Sequence, residues 1–456
     1  MEAHANSVDD KLIDGLSFKL SPGASYVQER KSVTFHPSGS AEYSSTSGTR
    51  LIKLLLTGDG WLDPSTFRIA FDLVNMASGS TPPAPQKILR PLGGPWTFFR
   101  RMRVLCGGTI VEDVDNYNRC HQMFSILTAA DSRANIDAEG FGREWDIRQG
   151  IKVPYTATTF PGIKEGQSQT VLFKPLSGLF NQNKMIPLRY CPITIELELV
   201  SDSTEPIISH LTDVGGFSAA NTSLLWQIQN VQAKCDLCVL DNALDNSYAE
   251  HLLSGKSLPI NYNTYVSQMQ SLLSGTTGQQ KVRLNVTRAL SRLKSVFITF
   301  DKEVAGELGY LGRKSWNDFY SPMQPYAGNP DDQFDSNGEF EAQLQLGSKL
   351  YPEYPIRSHS EAFYQLRKTL GIQSSTLHNF DINRHDYHTC KFIWATDMEK
   401  VLEAGFTGAN SRNGDILNIK FDNRDTTSAN HATSIHIVLH SDNILEIRDT
   451  GTQVYD

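Results

Sequence analysis

Apolar and polar positions alternate with period two along much of the chain, which predicts short strands with one buried and one wet face. The pattern is clearest over Ile193–Leu199, where Ile193, Ile195, Leu197 and Leu199 alternate with Thr194, Glu196 and Glu198. Around residues 99–130 it changes character. Arg101–Leu105 and Thr109–Val114 are β-prone runs flanking Cys106-Gly107-Gly108, a tight-turn signal. Asn118 then suits a helix cap, because Met123, Ile126 and Leu127 follow at helical spacing. This segment reads as a hairpin followed by a helix.

The same unit recurs over Glu341–Gly371. Gly107 matches Gly347, Ile110 matches Leu350, Asn118 matches Ser358, and Met123-Phe124 matches Phe363-Tyr364, each pair 240 residues apart. Ser358 and Glu361 form a capping box in the second copy. Two further matches keep the order. Val296–Asp301 repeats Phe67–Asp72 at a spacing of 229 residues. Ile435, Ile437 and Leu439 before Ser441-Asp442 repeat Ile195, Leu197 and Leu199 before Ser201-Asp202 at 240. The step between the spacings places an insertion in the Pro-, Gly-, Asn- and Asp-containing loop Ser321–Glu339. An internal duplication follows, all-β with one helix per repeat.

Between these landmarks, Val33–Phe35, Arg50–Leu56, Thr66–Leu73, Thr170–Phe173 and Trp226–Leu240 read as strands, and Asp241–Leu253 as a short helical connector. Pro175–Phe180 reads as a turn or short helix. Asp131–Gln167, Ser201–Ser223 and Ser321–Glu339 read as loops that supply interfaces and outward-facing surface, and Ser78–Gln86 as exposed. The division is an arm at 1–28, a first sandwich at 29–240, a connector at 241–258 and a second sandwich at 259–456. The arm's few apolar residues do not offset the roughly 1–2 kcal/mol per residue needed to order its backbone alone. It is therefore expected to order only against a neighbouring subunit or the inner surface of an assembly.

Composition narrows the function. A net charge of −8 argues against a surface built to neutralise phosphates, so no sequence-specific nucleic-acid binding is expected. The first residues, MEAHANSVDDKLIDG, lack a basic-then-apolar signal, and no window reaches 18 apolar residues, so a soluble product of the cytosol is expected. The six cysteines, Cys106, Cys120, Cys191, Cys235, Cys238 and Cys390, form no dense framework and are expected to be reduced.

Each candidate for chemistry has a defect. Cys235 and Cys238 have half a zinc-ribbon spacing, but residues i and i+3 of a strand face opposite ways. His385, His388 and Cys390 cluster without a carboxylate partner and read as a polar loop. Gly255-Lys256-Ser257 resembles the end of a phosphate loop, yet Glu250 stands where a glycine is needed. Asp335, Asn337 and Gly338 suggest a calcium loop, but Gln333 and Leu344 occupy its first and last ligand positions. Asn221 and Asn285 head glycosylation sequons, which carry little meaning without a secretory signal. His436 and His440 are four apart, and no His-X-His occurs. No GxSxG or Ser/His/Asp frame is present. No catalytic, cofactor-binding or metal-binding residue is nominated.

The segments RVLCGGTIVEDVDNYNRCHQM (Arg103–Met123), KMIPLRYCPITIELEL (Lys184–Leu199), LGSKLYPEYPIRSHSEAF (Leu346–Phe363) and HSDNILEIRDTGTQVYD (His440–Asp456) resemble the double jelly-roll major capsid proteins of double-stranded DNA viruses. The likeness is to those of Polinton-like and adintovirus-like elements and virophages, and more distantly to adenovirus hexon. It implies two tandem eight-stranded antiparallel sandwiches with short helices in loops, and three copies forming a pseudo-hexagonal capsomer of an icosahedral shell. It further implies no enzymatic activity, no cofactor, a place in the virion, and penton and minor capsid proteins as partners. The rival from another class is a two-domain β-sandwich carbohydrate-binding protein or enzyme.

Overall fold

The computed structural model describes residues 26–46, 48–78, 87–141, 162–207, 210–211, 217–218, 222–273, 279–302, 319–322, 340–372, 382–401, 406–412, 414–423 and 431–456. Two sandwiches of the same design follow one another. The first is built from β1 (Val27–Phe35), β2 (Leu51–Leu56), β3 (Trp61–Asn75), β4 (Phe99–Cys106), β5 (Thr109–Val114), β6 (Ser168–Phe173), β7 (Ile193–Leu199) and β8 (Trp226–Leu240). One sheet runs β1-β8-β3-β6 and the other β2-β7-β4-β5.

The second sandwich repeats this order strand for strand. Its strands are β9 (Leu258–Ser271), β10 (Lys281–Val286), β11 (Leu293–Asp301), β12 (Phe340–Leu346), β13 (Lys349–Ile356), β14 (Trp394–Asp397), β15 (Leu417–Asn423) and β16 (Ser434–Arg448). Its sheets run β9-β16-β11-β14 and β10-β15-β12-β13, and β17 (Gly451–Tyr455) adds to β16. All of these pairings are antiparallel. Each strand of the first sandwich therefore has its counterpart eight numbers on.

Period-two alternation sets the faces. Buried and half-exposed residues alternate through β7, β12 and β15, so the apolar rows of facing sheets meet in each core. Gly107 and Gly108 have φ of 54° and 87°, the left-handed pair that a two-residue hairpin between β4 and β5 requires. Gly347, at φ 58°, turns β12 into β13 in the matching place. Phe67–Asp72 and Val296–Asp301 likewise lie on counterpart strands, β3 and β11.

The third sequence match is wrong. Ile195–Leu199 lies on β7, whose counterpart is β15, whereas Ile435–Leu439 lies on β16. Any strand with one buried face alternates in this way, so alternation followed by Ser-Asp did not identify which strand it was.

The helices bring further corrections. Helix α1 (Tyr117–Ile126) is entered from Asn116, at φ 46° and with no side-chain cap, and Asn118 lies inside its first turn. In the second copy Ser358 does cap its helix, accepting from the Glu361 amide at 3.2 Å. The helix starts are thus 242 residues apart, not 240. The bulge between Ala342↔Ile356 and Leu344↔Tyr351 takes up the two extra residues, because its counterpart in β4–β5 is smaller.

Helix α2 (Ala130–Glu139) stands at the start of what reads as a loop. It has no apolar stripe to announce it, and an ion pair from Arg68 to Glu139 (3.2 Å) ties its end to β3. Helix α3 (Asn242–Leu253), capped by Asp241, links β8 to β9. Strand β1 begins at Val27, inside the expected arm, and Gln28 donates to Asp241 at 2.9 Å. Helix α4 (His359–Thr369) packs on β14, and His385–His388 belongs to helix α5 (Arg384–Thr389), capped by Asn383, where a polar loop was expected. Residues 1–25, 79–86, 142–161 and 323–339, which carry much of the arm and loop expectations, lie outside the described residues.

Candidate functional site: the seam between the sandwiches

Strand β11 is buried at eight of its nine positions, and β16 at its first six. A sheet wet on one side would alternate, so something covers the outer face of the second sandwich. The cover is the hairpin–helix unit of the first. Phe124 of α1 packs against Tyr265 and Phe297, with ring centroids 4.6 and 5.1 Å apart. Arg119, 2% exposed, donates to the Phe300 carbonyl (2.8 Å) and the Thr299 hydroxyl (3.3 Å), and lies 4.9 Å from the Phe319 ring centroid.

Strand β5 abuts β9. The Tyr262 hydroxyl donates to the Val111 carbonyl at 3.0 Å. The Gly178 backbone is pressed onto Asn263 so closely that a Cβ there would lie 1.3 Å from its carbonyl oxygen. At the hairpin turn, Thr452 of β17 donates to the Cys106 carbonyl (2.6 Å) and accepts, through its own carbonyl, from the Thr109 hydroxyl (3.1 Å). Lys184 reaches the Pro259 carbonyl at 2.8 Å.

Glu112 is buried in the middle of this contact. It accepts from the Ser177 hydroxyl, the amides of Gly178 (2.8 Å) and Leu179, and Thr264 across the seam. Burial dominates over these donors and pushes its pKa up to about 7. His436 and His440 flank the covered face. Burial lowers both, with Arg119 adding to the effect on His436 and Lys294 to that on His440, which is brought to about 3. His436 faces the Ser267 hydroxyl at 2.6 Å, and His440 stacks on Tyr265.

Replacing Arg119 with methionine keeps most of its bulk and removes its hydrogen bonds to β11. A loss of about 2 kcal/mol in urea unfolding of the whole chain is expected. No change would mean that Arg119 fills space only.

The residues singled out for chemistry do not converge. Cys235 and Cys238 are both buried in β8, opposite Val33 and Arg30, and burial raises both thiols. All six cysteines are buried, and none forms a disulfide. His388 stacks on His359 at 3.9 Å, and Lys391 pairs with Asp386 at 3.3 Å. Among the described residues no group of three or more His, Cys, Asp or Glu is disposed to hold a metal. Asn285 is exposed on β10, and the residues proposed for a calcium loop other than Leu344, like Asn221, lie outside the described residues. Leu344 is a buried core residue of β12. The seam residues Glu112, Arg119, Gly178, Tyr262 and Thr452 carried no sequence signal. A charge in a strand or a glycine in a loop is ordinary until its neighbour across the fold is known.

No protein-family model and no curated protein matches the sequence. Solved structures match over nearly the whole chain. PBCV-1 VP54, as fitted into a cryo-EM reconstruction of the virophage Sputnik, aligns at a TM-score of 0.61 and 12% identity, covering 96% of this chain and 98% of that one. A chain of the Sputnik virophage cryo-EM structure aligns at 0.58 and 9% identity, covering 96% and 90%. The Faustovirus major capsid protein aligns at 0.55 and 9%, covering 94% and 92%. With two sandwiches of one strand order, matched end to end by these structures, the chain has the double jelly-roll fold of double-stranded DNA virus major capsid proteins.

Proposed function

We propose that the chain is the repeating subunit of a viral capsid, a homotrimer whose six sandwiches form a near-hexagonal tile. The observation that carries the reading is the duplicated sandwich with its built seam. Two like lobes fixed side by side serve a tiling subunit, whereas a single-site enzyme has no use for the second. End-to-end likeness to capsid chains of similar length supports it.

On this reading the subunit works in the virion and has no catalytic, cofactor or metal site. Its partners are further copies of itself and the penton and minor capsid proteins of the shell. Residues 1–26, shorter than the expected 1–28, are an assembly arm, 27–240 and 258–456 are the two lobes, and 241–257 is the connector. Light scattering of the purified chain should give three times its 50.9 kDa mass, and electron microscopy should show hexagonal particles. A stable monomer that binds glycans would overturn the reading in favour of a carbohydrate-binding protein.

A further inference from the structure

One end of the seam brings two thiols together that are 85 residues apart in the chain. Strand β4 ends on Cys106, which pairs with Ile193 at the start of β7, and the Gly107 amide donates to the Pro192 carbonyl at 2.9 Å. Cys191 stands two residues before Ile193, and all three side chains are fully buried. The Cys106 thiol is set against that of Cys191, and this contact, with burial, holds it well above the ordinary thiol range. The pair nevertheless lies just under the surface. Gly107 and Gly108, which follow Cys106, are exposed, and Pro192 is half-exposed. Two bonds hold this end shut: the one from Gly107 to Pro192, and the one from the Thr452 hydroxyl to the Cys106 carbonyl.

We propose that Cys106 and Cys191 are a redox modification site, which a low-molecular-weight disulfide such as oxidised glutathione converts to a disulfide within one chain. One thiolate of the pair attacks the glutathione disulfide and releases the first reduced glutathione. The second thiolate then attacks the mixed disulfide, forms the Cys106–Cys191 bond and releases the other. The two cysteines lose two protons and two electrons, which leave with the two reduced glutathiones. Thiols that already touch need little backbone movement to be bridged. The attacking species is the thiolate, which burial disfavours, so the reaction waits until the glycine turn swings open and lets water in. The pair is therefore slow to react in the closed fold, and a reducing compartment keeps it open while an oxidising one closes it. Once formed, the bridge ties the β4–β5 turn to the segment entering β7. That turn is the part of the first lobe which Thr452 of the second lobe holds, so the bridge braces this end of the seam. The proposal concerns one lobe of one chain and stands apart from the capsid reading.

The test treats the full-length chain with oxidised glutathione, in buffer and in urea below the unfolding transition. Peptide mapping by mass spectrometry should find Cys106 joined to Cys191 with the loss of two hydrogens, and dithiothreitol should reverse it. The bridge should form about tenfold faster or more in the urea, where the turn opens more often. Because it closes a long loop, it should raise the urea midpoint by about 0.5 M or more. Cys191→Ala should show no such rise and should gain no more than a glutathione on Cys106. Should that variant fail to fold, the map of the parent decides alone. Cys106 joined to a different cysteine, to a second chain or only to glutathione would overturn the pairing. A bridge that leaves the midpoint unchanged would overturn its bracing of the turn.

Discussion

Replacing Gly178 with alanine is expected to cost the chain more than about 3 kcal/mol of stability, beyond the usual penalty of overpacking a core. The methyl group would lie 1.3 Å from the Asn263 carbonyl oxygen, and the next contacts are also Asn263 backbone atoms. Neither side has a rotamer to change. To restore ordinary contact the two lobes would have to part by roughly 2 Å, which forfeits the dispersion contacts along the seam. The same shift would stretch the Tyr262–Val111 bond and the Gly178 amide's bond to Glu112. Urea unfolding of the purified variant measures the loss. Gly255→Ala makes the useful comparison. Gly255 stands at φ 79° with open space where its Cβ would go, so that change should cost about 1 kcal/mol in backbone strain alone. Equal midpoints for Gly178→Ala and the parent would mean that the lobes do not press on each other at Gly178.

Strands and turns were legible in the sequence because their causes are local. The alternation in Ile193–Leu199 and the glycines at 107, 108 and 347 impose their geometry wherever they occur. The hairpin–helix match rested on such glycines and the Phe67–Asp72 match on like residues in like order, and both fall on counterpart strands. The third rested on alternation alone and does not. Helix α2 was missed because nothing apolar marks it, and the shift from Asn118 to Asn116 because a bulge is invisible before the partner strand is known. The seam was illegible for a stronger reason. Gly178 and Asn263, or Arg119 and Phe300, are 85 and 181 residues apart, and no local pattern ties them. What the chain did show in advance was that two equivalent lobes exist, and from that a contact between them follows.

Glu112 should make the stability of the chain fall as the pH rises, by about 3 kcal/mol across its window. An unfolded glutamate releases its proton near 4.5, but the buried Glu112 keeps it up to about 7. Between those values the folded state binds more protons than the unfolded one, so raising the pH favours unfolding. The contribution is complete below pH 4.5 and is lost as the pH passes 7. Each unit of displacement is worth about 1.4 kcal/mol. The buried histidines act in the opposite sense over part of this range. His121, lowered to about 4 by burial, and His359 and His440, lowered to about 3, favour the folded state as the pH rises towards 6.5. The parent's pH curve alone therefore does not isolate the carboxyl. The difference between the parent and Glu112→Gln does, because the glutamine has no proton to lose and the histidines are common to both. Measured by urea unfolding from pH 4 to 9, Glu112→Gln should gain about 3 kcal/mol relative to the parent between the acid and alkaline ends. Since Glu112 also reaches Thr264 of the other lobe, the loosening should appear first as faster hydrogen exchange along β5 and β9. A difference that stays flat with pH would mean that the carboxyl remains ionised, its four donors outweighing its burial.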